Sequence, residues 1–200
     1  MTATLTRPAP GKVAERAREI LAVWKADEEF ERLWTGCSQY SSDWDDFVGY
    51  PIIPEYDAVG DAPALFAETI RAMALKSAVY ELTDRDEKAA ELPLSVPVDV
   101  MSHALCAQFT LLSRIQERTG ILFVHMTDME DGQASGTWDF GDYTHRCYRE
   151  AFGPVNERFW IGAAETESRR QALDEVYAAI GVTERGRKVS IPAISALATM

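Results

Sequence analysis

The chain has 200 residues, 46% of them hydrophobic and 26% charged, with a formal net charge of −12. That length suits one domain around one core, and this balance of apolar and charged residues excludes a disordered tail or a fibrous repeat. The negative charge argues against nucleic acid, whose phosphates need clustered Lys and Arg, and no apolar run approaches the roughly 20 residues that span a bilayer.

The opening MTATLTRPAPGK lacks the apolar stretch of a signal peptide, so a cytoplasmic location is expected, with residues 1–11 as a flexible N-terminus and 12–200 as one globular domain. Val13, Ala17, Ile20, Leu21 and Trp24 recur at helical spacing, and Phe30, Leu33 and Trp34 continue the stripe after a phase slip. The pattern predicts a first helix to about residue 35, closed at Gly36. Residues 35–63 then mix Gly, Pro, Asp and aromatics in a way that reads as a long ordered loop.

Asp61 followed by Pro63 starts a second helix with Leu65, Phe66, Ile70, Met73, Leu75, Val79 and Leu82 on its apolar face. TDRDEKAAEL adds a short polar turn. A third helix over about 97–118 carries Val98, Met101, Leu105, Phe109, Leu111, Leu112 and Ile115, is expected to be the most buried, and stops at Gly120. Beyond it, ILFVHM, RFWIGA and KVSIPAI read as three strands, with a helix capped by Asp142 and another starting near Thr166 between them. The expected class is α+β: three helices to about residue 120, packed with a three-stranded sheet and two helices from about 121.

The charge is unevenly placed. No Lys or Arg occurs between Arg32 and Arg71 or between Arg118 and Arg146, and these gaps hold Asp43, Asp45, Asp46, Glu55, Asp57, Asp61 and Glu68, then Asp128, Glu130, Asp131, Asp139 and Asp142. These 12 acids account for the whole excess, so the chain reads as a neutral scaffold bearing two anionic segments. Aromatics accompany them, and acid with aromatic suits a basic protein or peptide partner. The expected partner-binding residues are Trp44, Asp45, Asp46, Tyr50, Tyr56 and Asp57 in the first segment, with Asp128, Glu130, Asp131, Trp138, Asp139 and Tyr143 in or beside the second.

The phosphate-loop, nucleophile-elbow and zinc-protease motifs are absent, and TDMEDG lacks the acid spacing of a calcium loop. Cys37, Cys106 and Cys147 are an odd, widely spaced set and are expected as free thiols. Cys106 lies one turn after His103, which as a catalytic pair would need an exposed, activated thiol, whereas Cys147 and His145 point to opposite sides of a helix.

The favoured reading is a non-catalytic acidic adaptor subunit that binds a basic protein or presents a peptide to a modifying enzyme, without cofactor. An inhibitor or immunity-type protein belongs to the same class. The alternative is a small iron or zinc enzyme, because two imidazoles and a carboxylate hold such ions with positions open to substrate. Its ligands would come from His103, His125 and His145 with Asp128, Asp139 or Asp142.

Overall fold

A computed structural model describes residues 6–43, 52–57, 59–125, 137–184 and 188–190. The first apolar stripe becomes two helices, α1 (Pro10–Ala26) and α2 (Phe30–Asp43), because Asp27 turns extended and its carboxylate accepts from the Glu29 amide at 2.9 Å. The phase slip is thus a true break. Pro10 opens α1 where its missing N–H costs nothing, and residues 7 and 8 ahead of it are tied down. Arg7 donates to the carbonyls of Ala89 and Glu91, and the Tyr143 hydroxyl donates to the Pro8 carbonyl.

Helix α2 runs on through Gly36, which was expected to stop it. A Cβ at Gly36 would lie 2.7 Å from the Gln108 amide oxygen, so glycine here serves a close approach between helices rather than a terminus. After it come α3 (Ala62–Leu82), the one-turn α4 (Glu87–Ala90), α5 (Val96–Ala107), α6 (Phe109–Thr119), α7 (Tyr143–Phe152) and α8 (Ala163–Ala179). The expected third helix is broken at Gln108, whose side chain bonds the Gly36 carbonyl, and Phe109 beyond the break stands exposed. Helix α3 is the buried centre, packed against α1, α2, α4, α5 and α7. Gly120 ends α6 in the left-handed region at φ 70°, as its position implies.

The expected three-stranded sheet is overturned. Among the described residues the only ladder is β1 (Val182–Thr183) against β2 (Lys188–Val189), antiparallel and two residues long. Residues 121–125 have no regular secondary structure, and their backbone pairs with side chains instead of a neighbouring strand. Ser77 donates to the Leu122 carbonyl at 2.6 Å, and the Phe123 amide donates to the Gln116 side chain at 2.8 Å. Ile121 and Val124 are buried, and Phe123 stacks on Trp24 with ring centroids 3.9 Å apart. Residues 157–159 likewise form a turn and 160–162 lead into α8, with the Phe159 carbonyl taken by Ser95 and with Phe159, Trp160 and Ile161 buried. Both runs are apolar because they plug a helical core, a demand that period-2 and β-branched signals share with strands. The class is therefore predominantly α. Of the third expected strand, Lys188 and Val189 form β2, and 191–194 lie outside the described residues.

Candidate functional site

Of the expected partner-binding residues, Trp44, Asp45, Asp46, Tyr50, Asp128, Glu130 and Asp131 lie outside the described residues. Tyr56 is half-buried against the core, and Asp57 folds its own turn by accepting from the Val59 amide. Trp138 is fully buried, its ring 5.1 Å from that of Trp160, so it belongs to the core and not to a surface. Asp139 accepts from the Phe140 amide, and Tyr143 is half-buried beneath the Arg7 guanidinium.

Other acids of the base-free segments carry structure as well. Asp142 caps α7 by accepting from the His145 amide at 2.7 Å, and Asp61 takes both Nε and Nη2 of Arg158. Glu68 is buried on α3, where its carboxylate accepts from Tyr148, from Trp160 Nε1 at 2.8 Å and from Arg71 at 2.8 Å. Nevertheless the two segments do meet one region. Arg158 and Arg169 bond the carbonyls of Glu55 and Ile52, and the Asp139 carboxylate abuts Gly162 between them.

The three histidines separate into a pair and a single. His145 on α7 accepts from the Gly141 amide through Nδ1 at 2.8 Å and packs against Phe140 and Trp138, away from the other two. His103 on α5 and His125 at the end of the 121–125 segment bring their ring centroids to 5.2 Å. Asp99, one turn before His103 on α5, completes a group in which one ligand atom from each residue lies within 4.8 Å of the others. The separation from His103 Nε2 to Asp99 Oδ2 is 3.7 Å. The carboxylate expected from Asp128, Asp139 or Asp142 is thus supplied instead by Asp99.

Behind this group lies a buried ion pair absent from the sequence reading. Lys76 on α3 is fully buried, donates to Glu91 at 2.7 Å and sets its ammonium 3.5 Å from His125 Nδ1. Burial first, and Lys76 second, push the His125 imidazole down to about 4, so near pH 7 it is neutral, the form that binds a metal. Glu91 offsets the lysine charge that would otherwise oppose a cation. Asp99 and His103 are each more than 40% exposed, so the group runs from a closed interior to an open face.

The arrangement suits a borderline transition ion. Around a tetrahedral ion with bonds of about 2.0–2.1 Å, ligand atoms sit roughly 3.3 Å apart, so the group needs to close by up to about 1.5 Å. Asp99 and His103 can make that closure by rotamer changes at the surface. One signal was present in the sequence: Asp99 and His103 are four apart on a helix, hence on one face. The arrival of His125 beside them is tertiary and has no local signature. Compared with models of known families, with curated proteins and with solved structures, the chain matches none. Among the described residues no helix is long and apolar enough to cross a membrane.

Proposed function

We propose that the chain is a metal-dependent protein whose centre is Asp99, His103 and His125, holding one zinc or iron ion with positions open toward solvent. The observation that carries this reading is the mutual approach of three ligand-type atoms from α5 and the 121–125 segment, with the Lys76–Glu91 pair beside the inner histidine. Two imidazoles and one carboxylate leave coordination sites free, and an ion so held acts as a Lewis acid that makes its bound water acidic near pH 7. An ammonium only donates, so a neutral His125 ring that accepts from Lys76 at Nδ1 carries its proton on Nε2, and an ion taken by His125 displaces either that proton or the lysine.

The test is metal analysis of protein purified without chelator, followed by equilibrium dialysis against Zn2+. Near-stoichiometric metal, lost on His125→Ala and on His103→Ala, supports the centre. A chain that takes up no ion, or takes it up equally in both variants, sinks it.

A second reading, an acidic adaptor for a basic protein or peptide, draws on the meeting of the two base-free segments at residues 158–169. Phe140 there is half exposed and Val59 largely so, which supplies apolar contact beside acids. This reading requires salt-sensitive capture of a Lys- or Arg-rich peptide by wild type, weakened by Phe140→Ala. Equal capture by both would remove it.

A further inference from the structure

The chain sets a cation of its own beside the proposed centre. The Lys76 ammonium, fully buried, lies 3.5 Å from His125 Nδ1 and 2.7 Å from a carboxylate oxygen of Glu91. We propose that Lys76 and the metal ion are alternative cations at His125, and that Glu91 receives the lysine when the ion binds. The inference rests on the reading of Asp99, His103 and His125 as a metal centre.

The exclusion follows whichever ring nitrogen takes the ion. An ion bonds a histidine nitrogen at about 2.0–2.1 Å, so one on Nδ1 in line with the lysine would stand about 1.5 Å from Nζ, where no ammonium can stay. An ion on Nε2 instead leaves the ring proton on Nδ1. That proton then meets the ammonium donor to donor, since an ammonium has hydrogens to give and no lone pair to accept with. In both cases the ring keeps one proton and the lysine keeps its charge, so the step is the displacement of one cation by another.

Glu91 makes that displacement feasible inside the protein. A buried ammonium that leaves one partner needs another, and the Glu91 carboxylate is already in contact with it. Without the Glu91 charge, the lysine would be left to the ring and would oppose the ion more strongly. The pair therefore sets the affinity of the centre below what its three ligands alone would give. Such a competitor penalises every ion alike, so weakly held divalent ions are shut out first and strongly held ones such as Zn2+ remain.

Zn2+ dissociation constants of the full chain, measured at one fixed pH by competition with a chromophoric chelator, test this with variants of opposite sign. Lys76→Leu combined with Glu91→Gln removes the competitor and its counter-charge together and leaves the net charge unchanged. It should tighten Zn2+ binding about tenfold or more, the scale typical of changes beside a ligating histidine. Replacing a buried ion pair by uncharged groups is often neutral or stabilising, so this variant is expected to fold. Glu91→Gln alone should weaken Zn2+ binding by a similar factor. A pair with a merely structural role predicts no tightening. A double variant that binds Zn2+ as wild type does, or more weakly, would overturn the competition and leave the centre standing, and so would tighter binding by Glu91→Gln alone. No Zn2+ binding by any of the three proteins would overturn the centre and this inference together.

Discussion

Helix α3 buries two charges about two turns apart, Glu68 and Lys76, and their surroundings differ. Around Glu68 the partners are interior: Tyr148 and Trp160 are fully buried, and Arg71 reaches in from the rim. Every partner there is a donor aimed at one carboxylate, so the cluster is closed and nothing in it invites a ligand. Around Lys76 the partners form a gradient, from Glu91 inside, through half-buried His125, to exposed His103 and Asp99. A buried charge that ends in its own satisfied shell fixes a core. One that leads through a neutral imidazole to exposed ligand atoms builds a site. Burial alone does not separate the two cases; the direction in which the polar partners run does.

The largest expected effect breaks the closed cluster. Glu68→Ala strands the Trp160 indole N–H, the Tyr148 hydroxyl and the Arg71 guanidinium, and should cost about 3–5 kcal/mol, read as a lower urea midpoint at unchanged slope. Tyr148→Phe removes one donor to the same carboxylate and should cost less, about 2 kcal/mol. Burial and the Glu68 carboxylate push the Tyr148 phenol up, so it remains a donor throughout the usable pH range.

Acid sharpens the comparison from the open side. His125 is depressed to about 4 from an ordinary 6.5, so below pH 6.5 the unfolded chain binds its proton and the folded chain does not. Its contribution is therefore full above about pH 6.5 and lost as pH falls towards 4, by up to about 3 kcal/mol. Lys76→Met keeps the volume of the stem but removes the ammonium, so His125 should titrate nearer its ordinary value and the acid loss should shrink. Urea midpoints at pH 7 and 4.5 for both proteins measure this. An unchanged acid loss would show that the lysine does not act on the ring.

Much of the helical scaffold was legible because its signals are local. Gly120 in the left-handed region, Asp142 as a cap and the apolar stripe of α3 all report within one or two turns of chain. The false sheet came from Ile121–Val124 and Phe159–Ile161, whose apolar runs answer to burial by helices and not to pairing with strands. Of the site, the spacing of Asp99 and His103 was readable, and so was the oddity of Glu68 and Lys76 on one stripe with Leu65, Ala72 and Val79. A charged residue on an apolar stripe signals a buried partner without naming it. Glu91 and His125 are brought in by loops, and no periodicity records that.

The smallest expected change in stability carries the sharpest test of the open cluster. His103 is 46% exposed, and its contacts are a long approach to Asp99 and an edge contact with the His125 ring. Removing an exposed side chain of this kind usually changes stability by less than about 0.5 kcal/mol, so His103→Ala should unfold at nearly the same urea concentration as wild type. A structural histidine predicts nothing further. A ligand predicts that the stabilisation produced by added Zn2+ disappears, because an ion that binds only the folded state raises stability in proportion to the logarithm of its concentration over its dissociation constant. The paired measurement is the urea midpoint with and without Zn2+ in wild type and His103→Ala. A Zn2+-dependent rise of equal size in both proteins would move the ion elsewhere and leave the Lys76 cluster as closed, in function, as that of Glu68.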